Sequence, residues 1–165
     1  MRKICIADEV IALAEHKAED NPALYACWCD PETECGFNLR QTRTFEEYCA
    51  WERPPGWGTI VLRLCDETPV GAIGFVSENS DMSIMIYPEY RGMGYGTRAF
   101  ALGARYCAET LGLDKIYAGC YPDNKASMKM LTACGFTPHP EGNIQEKHYL
   151  TGEDITQLDF VKELR

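Results

Sequence analysis

The residues best suited to chemistry lie in Tyr90-Arg91-Gly92-Met93-Gly94-Tyr95-Gly96-Thr97, where three glycines fall within five positions, between an apolar run ending at Tyr87 and a long helical pattern. Glycine at this spacing lets backbone approach a ligand with no Cβ in the way, and a following helix adds free N–H groups and the positive end of its dipole. Such a site holds an anion, most often a phosphate or pyrophosphate. A nucleotide P-loop is disfavoured, because Gly96 is followed by Thr97 and Arg98 where the phosphate-reaching Lys would stand, and a nucleotide-binding protein using this loop is a distant third reading. The dinucleotide pattern fits poorly, since Gly92-x-Gly94-x-Gly96 has the wrong last spacing and follows three strands rather than one.

The elements around the loop follow from periodicity and turn residues. Residues 57–64, 70–76 and 81–87 are β-rich runs separated by turns at Cys65–Pro69 and Ser77–Ser80, a three-strand meander into the loop. Phe100, Ala104, Cys107 and Leu111 define one face of a helix from about Gly96 to Leu111, with Gly112 just beyond. A strand at 115–121 completes a strand–helix–strand crossover, expected to be parallel, with the loop at the carboxyl end of its first strand. Asp123 or Asn124 caps a second helix that buries Met128, Leu131 and Cys134 and stops at Gly135. After a short strand from Phe136, runs at 144–150 and 155–161 make a last strand pair joined by Thr151–Asp154.

The first third reads differently. Val10, Leu13, Ala14 and Lys17 predict a surface helix over Ala7–Glu19, closed by Asn21-Pro22. Residues 44–52 predict a second helix, with Thr44 and Glu47 as a capping box and Pro54-Pro55-Gly56 as its stop. The chain therefore divides into a helical region at 1–56 and a core at 57–165, within one domain of 165 residues.

Composition excludes several functions. A formal net charge of −9 argues against a nucleic-acid partner and mildly favours a cationic one. No run approaches the ~18 apolar residues of a membrane span, and no targeting segment opens the chain, so a cytoplasmic protein is expected. The nine cysteines suit reduced thiols, and Cys27-x-Cys29 with Cys35 lacks the spacing of a zinc site.

The loop resembles the acetyl-CoA motif [QR]-x-x-G-x-[GA] of the GCN5-related N-acetyltransferase (GNAT) superfamily, and Asn124-x-x-Ser127 with Gly135-Phe136 resembles its second motif. Together with Ile86-Tyr-Pro-Glu-Tyr-Arg-Gly they are most similar to the branch containing the ribosomal-protein N-terminal acetyltransferases. This resemblance implies a mixed α/β fold: a mostly antiparallel sheet with a parallel pair splayed at the cofactor site, and helices on both faces. It implies transfer of acetyl from acetyl-CoA to a primary amine of a small molecule or protein N-terminus by direct attack, without metal, by a monomer or homodimer. By the same resemblance the pyrophosphate meets the backbone of Arg91, Gly92, Met93, Gly94, Tyr95, Gly96 and Thr97. Ser83, Ile84, Met85 and Ile86 would pair with the pantetheine arm and stabilise the oxyanion.

Such a reaction needs a base for the amine and an acid for the departing thiolate. Asn124 is either an N-cap or a cofactor contact, or both. Ser127 is the acid that the resemblance implies, because Leu131 stands where many relatives carry a Tyr. Tyr121 is the other candidate acid, and Glu89, His148, Tyr121, Glu32 and Glu34 are the candidate bases. Tyr25, Trp28, Glu32, Glu34, Phe37, Tyr48 and Trp51 are candidates to line an acceptor pocket, with Tyr25, Trp28, Tyr48 and Trp51 otherwise packing in the core. Leu131 also leaves open a rival reading, a module that binds acetyl-CoA without turning it over.

Overall fold

The computed structural model describes every residue from Met1 to Arg165. In chain order the elements are β1 (Ile4–Ala7), β2 (Ile11–Glu15), α1 (Asn21–Trp28), α2 (Pro31–Phe37), α3 (Phe45–Ala50), β3 (Gly56–Arg63), β4 (Thr68–Val76) and β5 (Asp81–Ile86). Then come α4 (Tyr95–Glu109), β6 (Lys115–Cys120), α5 (Lys125–Ala133), β7 (Thr137–Pro138), β8 (Ile144–Lys147) and β9 (Asp154–Glu163). One sheet runs β1-β2-β3-β4-β5-β6-β9-β7, with β8 paired to β9. Only β5 and β6 are parallel, as the strand–helix–strand crossover predicts.

The helix expected over Ala7–Glu19 is not there; these residues form most of a hairpin. Ile11, Ala12, Leu13 and Ala14 are all fully buried, so β2 is covered on both faces and reads as a continuous apolar run that periodicity confuses with a helix. Asp8 makes the turn, its Oδ1 accepting from the N–H groups of Val10 and Ile11 at 2.7 and 2.8 Å. The sheet thus begins at Ile4, and only residues 18–50 of the first third are helical. The second expected helix is present as α3, and Thr44 and Glu47 exchange both bonds of the capping box.

Two apolar clusters sit on opposite faces of the sheet. The larger packs Ile11, Leu13, Ile73, Phe75 and Met82 against Phe100 and Cys107 of α4 and Leu131 of α5. The smaller packs Ile60 and Tyr87 against Leu24 and Cys27 of α1 and Tyr48 of α3. Helix α4 lies close to the sheet because Gly103 has no side chain: a Cβ there would come within 2.8 Å of Ile73 and Met82. Leu111, expected on the buried face of that helix, lies past its end and is 43% exposed.

The last strand pair is also longer on one side than expected. β8 stops at Lys147 and β9 spans Asp154–Glu163, with the loop between them fixed by His148.

Candidate active site

Strands β5 and β6 touch at a single point. Asp81 is the only residue of β5 in register with β6, opposite Tyr117, and beyond this contact the strands diverge. A cavity of about 390 Å³ fills the gap, bordered by Ser83 to Ile86 on one side and by Ala118, Gly119 and Tyr121 on the other. A second cavity of about 390 Å³ lies on the α1–α3 face of the sheet. Trp28, Phe37, Ser83, Ile84 and Met85 border both, so the gap connects one face of the sheet to the other.

At the wide end of the gap sits the glycine loop. Gly92 and Gly94 take φ values of 74° and 85°, a left-handed backbone that a side chain would strain. Gly94 precedes the first turn of α4, a helix of 15 residues whose first N–H groups have no carbonyl within the helix to bond. These donors and the helix dipole fit a pyrophosphate. The two nearby arginines are already engaged. Arg98 pairs with Asp8 and Glu9 at 3.0 and 2.9 Å. The Arg91 guanidinium donates to Asp30, Glu32 and Thr33 of the α2 region and, through Nε, to the Ile86 carbonyl at 3.0 Å. Its side chain therefore ties α2 to the loop, and the anion is left to backbone donors.

Asn124 does two things at once. Its Oδ1 accepts from Ser127 N at 3.1 Å, capping α5. Its Nδ2 lies toward Gly36 of α2, where a Cβ would come within 3.6 Å, and the residue borders the gap together with Ser127. Leu131 borders it too but is 1% exposed and belongs to the core.

Tyr121 is the best-placed hydroxyl. It is buried at the gap, and its Oη donates to Glu146 of β8 at 2.5 Å. Burial first, and then the Glu146 carboxylate, raise the phenol well above its ordinary pKa, so it stays protonated at any physiological pH. The opposite shift of role befalls Asp81. Burial, and then the charge of Asp159, push its carboxyl up to about 6, and it borders the same gap. Asp159 in turn meets His139 Nδ1 at 2.8 Å.

Two expected bases are not brought to the gap. Glu89 lies exposed on a turn at Pro88–Tyr90 and borders neither cavity. His148 also borders neither, and its Nδ1 accepts from Leu150 N and Thr151 N at 3.2 Å, which fixes the β8–β9 loop instead. Glu32 borders the gap but pairs with Arg91 at 2.7 Å, and Glu34 lies 3.7 Å from Arg40. Asp81 was missed in the sequence because it reads as the first residue after a turn. Only the single contact to β6 makes it a gap residue.

The α2 end closes the gap from above. Asn38, left-handed at φ 51°, donates to the Lys147 carbonyl and accepts from Tyr149 N, both at 2.9 Å. Of the aromatics, Trp28, Phe37, Tyr48 and Trp51 border the second cavity, while Tyr25 packs on Phe45 and Tyr48 at 5.5 Å.

A split sheet, an anion loop at the mouth of the split and two communicating cavities point to one family, and the family model described as "Acetyltransferase (GNAT) domain" matches residues 11–137. The chain belongs to the GNAT family. It is an acetyl-CoA-dependent N-acetyltransferase. Spermidine N(1)-acetyltransferase of Escherichia coli K12 is 29% identical over 94 residues, 54% of this chain and 50% of that protein. The crystal structure of spermidine N-acetyltransferase from Vibrio cholerae with CoA and spermine superposes with a TM-score of 0.82 at 15% identity, covering 95% of this chain and 97% of that one. Ribosomal-protein-S5-alanine acetyltransferase from Vibrio fischeri superposes with a TM-score of 0.72 at 16% identity, over 96% and 95% of the two chains. At these identities the two structures speak for the GNAT fold. No helix of the chain is long and apolar enough to cross a membrane.

Proposed function

We propose that acetyl-CoA enters from the glycine loop, with its pantetheine arm along Ser83–Met85, and that a small-molecule amine reaches the thioester from the α1–α3 face. The observation that carries this is the pair of cavities meeting at Ser83, Ile84 and Met85. The free edge of β5 offers backbone groups to the arm, as a missing strand would. Those of Ile86 are partly engaged by Arg91, so the contacts fall to the three residues before it.

Asp81 takes the proton of the attacking amine. It is the gap carboxylate without an arginine partner, and a group at about 6 is ionised at neutral pH yet basic enough to serve. As the new N–C bond forms, the thioester C–S bond breaks and its electron pair leaves on sulfur. Tyr121, whose O–H rests on Glu146 at the gap, turns that one proton from the carboxylate to the thiolate. Ser127, in the first turn of α5 and also at the gap, is the second donor within reach. The Leu131 position does not bear on this assignment, because the phenol comes from the end of β6 instead of from α5. We read the chain as one catalytic domain that works in the cytoplasm.

Two measurements test the reading. Coenzyme A at 100 times its Kd raises the unfolding free energy by about 2.7 kcal/mol if it binds only the folded chain. Thiol release from acetyl-CoA with a panel of amines must exceed the protein-free rate. A thermal shift without release from any amine would instead establish an acetyl-CoA-binding module, and no shift would remove the donor assignment.

A further inference from the structure

The cavity on the α1–α3 face carries information about the acceptor. Seven of the nine arginines pair with a carboxylate: Arg2, Arg40, Arg63, Arg91, Arg98, Arg105 and Arg165. Arg43 and Arg53 pair with none, and they flank α3 together. Arg43 lies 4.5 Å over the ring of Trp51, and Arg53 lies 5.4 Å over Tyr48 and donates to its Oη at 3.1 Å. Acidic side chains outnumber basic ones by 25 to 16 in this chain, so two guanidinium groups, one before and one after α3, with only aromatic partners are a marked exception.

The same cavity holds no carboxylate. Its basic groups are His16 and Arg53, whereas Glu32 and Asp81 border only the donor side. Trp28, Phe37, Tyr48 and Trp51 wall it. Its floor is a row of small residues across three strands, Gly58 opposite Gly74 and Gly74 opposite Ser83. A Cβ on Gly58 would meet nothing within 4 Å, so the space above it is open. Two strand spacings make the row about 10 Å wide, room for one ring and a short chain.

Resting on the acetyl-transfer reading above, we propose that the acceptor is an amine whose flat apolar body carries a carboxylate. The body lies on the Gly58–Gly74–Ser83 floor, the carboxylate meets Arg53, and the amine points to the gap at Ser83. A polyamine would bring several positive charges to a pocket with two basic groups and no acid, an arrangement that selects against it.

The test uses matched pairs: phenylalanine against phenethylamine, and 4-(aminomethyl)benzoate against benzylamine, with spermidine alongside, each scored by kcat/KM in thiol release. At least one carboxylate should exceed its neutral partner by about 10-fold or more, the worth of a charge-assisted bond. Arg53→Gln should erase that ratio, lowering kcat/KM for the carboxylate by about 10-fold or more relative to its neutral partner. Gly58→Val, at a strand position that accepts a branched side chain, should raise the acceptor KM about 10-fold or more and leave the acetyl-CoA KM unchanged. Spermidine outranking every aryl amine, a carboxylate no better than its partner, or equal loss for both partners in Arg53→Gln would each overturn the proposal while leaving acetyl transfer standing. Release with none of the amines would overturn both.

Discussion

Asp81→Asn should make the protein more stable and nearly inactive, and the two effects should part company with pH. In the folded chain the carboxyl sits at about 6, roughly two pH units above an ordinary aspartate at about 3.9. The folded state therefore binds this proton more tightly than the unfolded state. As pH falls from about 6 to about 4 the folded state takes up the proton and gains stability; above pH 7 the ionised group costs the folded state about 3 kcal/mol, at about 1.4 kcal/mol per pH unit. Asparagine carries no charge at any pH and no repulsion from Asp159. At pH 8 the variant should thus gain about 2–3 kcal/mol, or about 4–12 °C in Tm for a chain of this length, and at pH 4 less than about 1 kcal/mol. Removal of the base should lower kcat by about 100-fold or more, and the unaltered enzyme should lose activity through an apparent pKa near 6. Calorimetry at pH 4, 6 and 8 beside thiol-release rates from pH 5 to 9 reads all of this. A stability gain that is the same at pH 4 and pH 8, or a variant with full activity, would refute the reasoning.

Other substitutions separate the remaining roles. Tyr121→Phe should lower kcat by about 100-fold with little change in either KM, whereas Ser127→Ala should cost less than about 3-fold; the reverse order would return the acid to Ser127. Arg91→Ala should loosen α2, which it ties through Asp30 and Thr33, and so raise the acceptor KM more than the acetyl-CoA KM; a rise confined to acetyl-CoA would mean that the guanidinium holds phosphate. Asn124→Ala removes a side-chain cap from α5 and should cost about 1 kcal/mol in denaturant unfolding, with any further loss of coenzyme A affinity reporting the Nδ2 group.

The glycine loop and the cap of α5 were legible in the sequence and the α1–α3 cavity was not, and the difference is physical. A pyrophosphate is held by backbone, and backbone geometry leaves a mark in the residue types themselves: Gly92 and Gly94 are glycine because their φ values are positive, and Asn124 caps because Ser127 N needs a partner. Local rules of this kind act over a few residues, so they can be read in order along the chain. By contrast, β2 was read as a helix because burial on both faces erases the alternation that marks a strand. That error hid the true extent of the sheet, since β2 lies beside β3 in register with it.

The surroundings of the proposed base and acid escape sequence reading for a related reason, although Tyr121 itself is among the residues the sequence offers. Asp81 reaches the gap through the one contact between β5 and β6, and Tyr121 is held there by Glu146, 25 residues away on β8. Glu89 and His148 had the right chemistry and lay near the right motifs, yet one faces solvent and the other is bound to its own loop. A sum over the chain weights every carboxylate equally, whereas in the proposed acceptor site the groups within reach are few, and the arginine that borders this cavity is Arg53, over Tyr48. The family's fold thus sets the gap between β5 and β6, while the residues proposed to choose the amine sit on α1 to α3 and on the faces of β3 and β4, positions that no motif constrains.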